Sequence, residues 1–265
     1  MRKLKKILTI VVWALLVAGA IVLFSFTDYE QSATPVKRIR VTVAYGQSDV
    51  LIIPAIVDTL IRKNRGELKG KPIDMINTAA LANLIRSEPY VKKAEVYESH
   101  DGYLNIDVVQ REPLLRIVNQ YQEGFYLDRD GNALPLHSEY PAHVLVASGF
   151  IPYSFLKNPK IKAQPDGEAA SKDSLINRLF DLATVLSSDP AFRNMFDQVY
   201  VNEQKEFELV PKKGNHIVLL GSTDDLQEKL GKLLVFYSKG LNEIGWNKYQ
   251  IINIKYKNQV ICSKL

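Results

Sequence analysis

Asp128, Asp130, Asn132 and Glu139 stand at the first, third, fifth and twelfth places of a stretch whose oxygen spacing is that of a calcium-binding EF-hand loop. Three features oppose calcium. Ala133 sits where the loop needs glycine for its sharp turn, Pro135 stiffens the backbone just after it, and residues 124–127 read as strand rather than as an incoming helix. The plain alternative is a hairpin turning at Asp130-Gly131. The histidines (His100, His137, His143 and His216) lack a metal spacing such as H-x-x-x-H and default to solvated or hydrogen-bonded side chains. Ala147-Ser148-Gly149 falls short of the G-x-S-x-G nucleophile elbow, because Val146 occupies the place of the first glycine. Carboxylates are plentiful, yet spacing promotes no pair to general acid and base. Cys262 is the single cysteine, which excludes an intrachain disulfide and leaves either a buried, inert thiol or a reactive one beside a cation. The sequence therefore assigns no catalytic residue, no metal ligand and no cofactor-binding residue. An enzyme has no positive support in it.

Charge points the same way. The net charge is +5 over 265 residues, and part of it lies in the first six positions, where Arg2, Lys3, Lys5 and Lys6 cluster. No other basic run with interleaved aromatics occurs, which argues against nucleic acid as a partner. The tail at 1–6 precedes an uncharged apolar run over 7–26, long enough as a helix to cross a hydrocarbon core of about 30 Å. A cleaved signal peptide is the rival reading, but the run is too long for one and Ser25-Phe26-Thr27 offers poor cleavage chemistry. A retained anchor is the reading adopted. The basic tail keeps the N-terminus cytoplasmic by the positive-inside rule, and everything beyond the span is exported. Residues 27–35 form a polar linker ending in Pro35.

The exported chain is expected to be α+β. Residues 36–43 alternate as a strand, with Ile39, Val41 and Val43 on one face. Ile53, Ile56, Val57, Leu60 and Ile61 come next at helical spacing, with Pro54 tolerated in the first turn. Asn77 or Thr78 caps a second helix carrying Ala80, Leu81, Leu84 and Ile85. Pro89 breaks that helix, Val91–Glu98 reads as a strand, and Asp101-Gly102 turns into a second strand with Leu104, Ile106 and Val108 on one face. Pro113 removes a ladder donor, so pairing should weaken or reach a sheet edge there. The order over 36–113 is thus βααββ.

Three stretches carry a resemblance. Pro89-Tyr90-Val91-Lys92-Lys93-Ala94-Glu95-Val96 has the form P-x-V-x-x-A-x-V. Leu104-Asn105-Ile106-Asp107-Val108-Val109-Gln110-Arg111-Glu112-Pro113 has the form L-x-I-x-V-x-[EQ]-R-x-P. Asp128-Arg129-Asp130-Gly131-Asn132-Ala133-Leu134-Pro135 has the form D-x-x-G-x-x-x-P. Together they resemble the FtsQ/DivIB cell-division family, in which a POTRA domain precedes a β-rich domain. The short tail is more similar to the Gram-negative form, and residues 150–195 carry no family motif. The resemblance implies a cytoplasmic tail (1–6), a transmembrane helix (7–26), a linker (27–35), a POTRA-like domain (36–113) and a C-terminal β domain (114–265). It also implies a single-pass inner-membrane protein at the division septum with its bulk in the periplasm.

The second half supports a mixed α/β module built on an antiparallel sheet. A hairpin is expected over 124–136, a strand over 142–148, and a polar loop over 157–173. A helix carrying Leu175, Leu179, Leu182, Ala183 and Leu186 should stop before Pro190. Strands are expected over 198–201, 206–210 and 216–220, and Thr223-Asp224-Asp225 should cap a helix with Leu226, Leu230, Leu233, Leu234 and Tyr237. A single closing strand is expected over 250–262, with Ile252, Ile254, Tyr256, Val260 and Cys262 on its apolar side.

A terminal strand offers a partner its unpaired backbone groups. The resemblance places the FtsB-like partner on these last strands, and Lys255-Tyr256-Lys257-Asn258 matches the family feature [RK]-Y-x-[NDS]. The candidate partner-binding residues are accordingly Ile254, Lys255, Tyr256, Lys257, Asn258 and Val260. Tyr256 is either the aromatic anchor of an interface or a core residue. Lys255 and Lys257 either protect the edge or attract an acidic ligand. Arg111 and Arg116 are either partners for a ligand's carboxylates or solvated side chains. The function implied is a non-catalytic divisome scaffold linking FtsB/FtsL-like bitopic proteins, with other divisome components docking on the POTRA-like domain. The alternatives are a POTRA-containing envelope-assembly adaptor and a membrane-tethered cell-wall hydrolase.

Overall fold

The computed structural model describes residues 12–22, 35–99, 101–137, 141–164 and 174–264. Residues 12–22 are helical and exposed along their length. Among the described residues no helix is long and apolar enough to cross a membrane, and the span expected over 7–26 extends outside them at both ends. The rest divides into two compact units. One holds the described residues up to Ala44 together with Ile52–Gln110; the other holds Tyr45–Leu51 and the chain from Arg111 onward.

The first unit has the βααββ order: β1 (Arg38–Ala44), α1 (Pro54–Arg65), α2 (Thr78–Arg86), β2 (Val91–Glu98) and β3 (Tyr103–Gln110). Pro54 opens α1, where its missing N–H costs nothing. Gly66 ends it at φ 71, and Arg62, Lys63 and Arg65 face the negative end of its dipole. The Asn77 side chain caps α2 by accepting from the Ala80 N–H at 2.8 Å. The strand order is β1-β3-β2, with β1 parallel to β3 because two helices separate them, and β2 antiparallel to β3 because a tight turn does. Leu104, Ile106 and Val108 are fully buried, as are Val57, Ile61, Leu81 and Ile85 of the two helices. Each such burial contributes about 1.5–3 kcal/mol. Gln110, also buried, ends β3 by accepting the Ile52 N–H at 2.9 Å, which satisfies a donor at the entry to α1.

The second unit is one large sheet with helices on one face. Its strands are β4 (Pro113–Val118), β5 (Gly124–Asp128), β6 (Ala133–Pro135), β7 (Leu145–Gly149), β8 (Phe196–Val201), β9 (Phe207–Pro211), β10 (Ile217–Gly221), β11 (Tyr249–Asn253) and β12 (Ile261–Lys264). They lie in the order β12-β11-β10-β9-β8-β7-β4-β5-β6. Helix α3 (Leu175–Ser188) connects β7 to β8, and α4 (Leu226–Phe236) leads through a π-helical turn toward β11. The core gathers Leu115, Ile117, Ala147, Val199, Leu209, Val218 and Ile252 from the strands with Leu179, Leu182, Leu230 and Leu233 from the helices.

The structure corrects four expectations. The sheet is mixed, not antiparallel: β4–β7, β7–β8 and β10–β11 pair in parallel. The helices α3 and α4 are crossover connections, which join parallel strands where hairpins cannot. Of the two outcomes expected at Pro113, the edge is overturned: it is the first residue of β4, an interior strand, where a ladder tolerates proline at its start, while the pairing with β5 does shift register between Pro113 and Leu115. The closing strand over 250–262 is two strands, β11 and β12, antiparallel about a turn at 254–260. Finally, Asp225 precedes α4 in the left-handed region at φ 50 and makes no side-chain cap. The expected loop over 157–173 lies partly outside the described residues.

Candidate partner-binding edge

The sequence alternation around β11 and β12 determines what faces the partner side. Val218, Ile252 and Cys262 form one rung across β10, β11 and β12 and point into the core. The neighbouring rung, Ile217, Ile251 and Ser263, must then point the opposite way. Ile217, Ile251 and, opposite Asn253, Ile261 accordingly leave 40, 36 and 47% of their surfaces exposed. An apolar strip thus runs to β12, the last strand of the sheet on that side among the described residues. Cys262 takes the inert reading: burial pushes its thiol pKa up, so the nucleophilic thiolate is disfavoured.

The six candidate residues do not lie on one strand face. Ile254 is fully buried, its N–H donating to the Leu219 carbonyl at 3.1 Å, so its side chain belongs to the core and not to a contact surface. Tyr256 leaves the core altogether. It sits in the bend between β11 and β12 with half its surface exposed, because the turn interrupts the alternation that placed it beside Ile252 and Ile254. Asn258 takes φ 58 in the same turn, a conformation that asparagine tolerates. Val260 packs against the edge of the core.

The turn is held by lysines. Lys232 of α4 donates to the Tyr256 carbonyl at 2.5 Å, Lys255 pairs with Glu206 at 2.7 Å, and Lys257 pairs with Asp225 at 3.2 Å. Both lysines of the sequence feature therefore work within the unit. The Lys257 pair is exposed and contributes little; the Lys255 pair is half-buried and better placed. The Lys255 stem crosses Gly221, where an added Cβ would lie 2.9 Å from its Cγ. Gly221 also holds φ 76, so glycine is required on two counts.

Two clusters escaped the sequence reading. His216, 3% exposed, shares a hydrogen bond of 2.8 Å between its Nε2 and the Tyr237 hydroxyl, and the rings of Tyr237 and Trp246 meet edge-on at 4.9 Å. Lys213 Nζ lies 4.2 Å above the Trp246 ring. Burial pushes the His216 pKa down and the Tyr237 pKa up, which keeps both groups neutral near pH 7. The second cluster is the turn after β5. Asp128, 1% exposed, accepts the Asp130 N–H at 3.0 Å and the Asn132 N–H at 2.7 Å, while Arg111 Nη1 binds its other oxygen at 2.8 Å. Arg111 is thus paired within its own unit, with 24% of its side chain still exposed. No local spacing links residues 17 positions apart, so only folding could reveal this pair.

The Asp128 carboxylate, leading the calcium-like spacing, is spent on the turn and on Arg111. Glu139, its twelfth position, lies outside the described residues. Among the described residues no group of three or more His, Cys, Asp or Glu is placed to hold a metal ion. Ser148 accepts a hydrogen bond from Gln198 at 2.6 Å rather than from a histidine. A cleft of about 560 Å³ in the second unit is lined by Glu112, Arg129, Asp49 and His143, which form the pairs Arg129–Glu112 at 3.3 Å and His143–Asp49 at 3.2 Å. These are ion pairs at a surface, with no nucleophile among them.

Residues 35–109 match the POTRA-like domain, and residues 112–263 match the family described as FtsQ/DivIB, C-terminal related. No curated protein matches the chain. Proteins with this pairing are generally non-catalytic scaffolds that act through protein–protein contacts in cell division. With the matched region covering more than half of its length and the end strand within it, the chain belongs to the FtsQ/DivIB C-terminal-related family, with a POTRA-like domain ahead of the family module.

Proposed function

We propose that the chain is a single-pass, N-in divisome scaffold without catalysis of its own. Its FtsB/FtsL-like bitopic partners add a strand to β12 and so help position septal peptidoglycan synthesis. The observation that carries this reading is the end strand β12 with Ile261, Ile251 and Ile217 exposed beside it and Tyr256 projecting from the adjoining turn. Backbone pairing at such an edge supplies affinity, and the apolar strip with its aromatic neighbour supplies specificity. Tethering both proteins in one membrane raises their effective concentration without any new contact. The apolar run at 7–26 with its basic tail supports the anchor and the orientation, and through them a periplasmic location at the septum.

The test is site-specific photocrosslinking in dividing cells from Ile261 and Tyr256, read against the host's FtsB/FtsL-like proteins. Crosslinks to one bitopic partner from both positions support the reading. Crosslinks spread over many unfolded envelope proteins would replace it with the assembly adaptor. Release of fragments from cell wall by the purified chain would replace it with the hydrolase.

A further inference from the structure

Arg116 lies in β4 between Leu115 and Ile117, both wholly buried on the helix side, so its side chain leaves by the opposite face of the sheet. Tyr126 of β5 and Val146 of β7 flank it in register. Neither neutralises it: the Tyr126 hydroxyl accepts the Ala142 N–H at 3.1 Å, and valine has no polar side-chain atom. Two carboxylates of the same face are engaged elsewhere. Asp128 holds Arg111 at 2.8 Å, and Glu208, on β9, accepts from Asn202 at 3.4 Å. The Arg116 Nε is sealed from solvent without a hydrogen-bond partner, and no ion pair forms on its guanidinium among the described residues. A guanidinium is always charged, so a half-buried positive centre stands here without an anion.

The rung of Arg116 continues through Val146 and Gln198 to Val210, and a second rung runs from Ser148 through Tyr200 to Glu208. Each of these side chains keeps part of its surface exposed, while Ala147, Val199 and Leu209, one residue along, are buried in the core with α3 and α4. Gln198 Nε2 donates to Ser148 Oγ at 2.6 Å and ties the two rungs together. Strands β4, β7, β8 and β9 are all interior, so their backbone groups are paired on both sides and offer a partner nothing. Binding here must use side chains alone. The β4–β7–β8 run is parallel, and parallel strands are ordinarily covered on both faces. Among the described residues, helices cover one face only.

We propose that the second layer is an amphipathic helix of a protein partner, lying along β7 and β8, its apolar stripe on Val146 and Val210 and an aspartate or glutamate of that stripe paired with Arg116. A helix satisfies its own backbone, which matches a face without free N–H or C=O groups. From β4 to β9 is about 14 Å at ~4.8 Å per strand, and a helix about 10–12 Å wide laid over β7 and β8 reaches both flanks. The six residues of β8 span about 20 Å, the length of about 13 helical residues. Arg116 takes the carboxylate on two N–H groups of its planar fork, a geometry that lysine lacks. The site is separate from the β12 edge, which lies six strands from β4.

The probes are three stapled fluorescent helices of about 14 residues, alike except that the centre of the leucine stripe holds glutamate, glutamine or lysine. They are titrated by anisotropy against the full chain in lipid nanodiscs, with binding to empty nanodiscs subtracted. The glutamate helix should bind roughly tenfold more tightly than the glutamine helix, and the lysine helix most weakly. Arg116→Gln should abolish the preference for glutamate. Val146→Glu gives Arg116 a carboxylate directly across the ladder and should abolish it in the same way. Ile261→Asp, on β12, should leave it intact. No binding of the glutamate helix, equal binding of glutamate and glutamine helices, a preference that survives either Arg116→Gln or Val146→Glu, or one lost with Ile261→Asp overturns the proposal. Should Arg116→Gln fail to fold, Val146→Glu decides.

Discussion

Replacing Asp128 with alanine should destabilise the second unit more than any other single change to its surface turns. The carboxylate is 1% exposed and holds four donors at once: the Asp130 and Asn132 backbone amides, the Asn132 side-chain amide and the Arg111 guanidinium, itself 24% exposed. Alanine leaves the part-buried N–H bonds of the turn and a half-buried cation without their acceptor. Removing one partner of a buried pair costs about 3–5 kcal/mol. For a unit of this size that corresponds to a fall in Tm of about 6–20 °C. Asp128→Asn keeps an acceptor for the two amides and loses only the charge-assisted bond to Arg111, so its cost should be about 1.5–3 kcal/mol. The assay is urea unfolding followed by Trp246 fluorescence in a Trp13→Phe background, since the chain has two tryptophans and Trp246 reports on the second unit. Equal slopes with shifted midpoints would show a change in stability rather than in compactness. A cost below about 1 kcal/mol for Asp128→Ala would refute the argument that this turn is locked from within. Equal costs for alanine and asparagine would assign the whole effect to charge and none to the turn amides.

Two further outcomes rest on the same unit. His216 is held neutral by burial, its pKa below the ordinary value of 6.5, so the unfolded chain binds more protons than the folded one as pH drops below that value. The stability of the second unit should therefore fall on acidification below about pH 6.5, by at most about 1.4 kcal/mol per pH unit, and His216→Phe should flatten that part of the profile. Gly221→Ala should lower the urea midpoint, because alanine is strained at φ 76 and its Cβ meets the Lys255 stem at 2.9 Å; an unchanged midpoint would show that the turn can yield there.

The sequence alone determined the elements whose signals are local. Alternation put Leu104, Ile106 and Val108 on the core face of β3, helical spacing placed α1 and α3, and Asn77, Pro54 and the Asp101-Gly102 and Asp130-Gly131 turns marked their own positions. Short-range sterics and hydrogen bonding settle these features, and neighbours a few residues apart carry all the information. Even the family features were legible, because Gln110, Asp128 and Gly131 are each required by a backbone need.

Tertiary structure decided the rest. Strand alternation assigned Tyr256 the face of Ile252 and Ile254, but period two holds only while the strand continues, and the bend after Ile254 released the ring to solvent. Whether lysines 255 and 257 awaited a partner depended on Glu206 and Asp225, which no spacing places beside them. The parallel pairings came from crossovers through α3 and α4. The isolation of the Arg116 charge came from the strands that flank it. Those relations join residues far apart in the chain, and only the packing of one element on another brings them into contact.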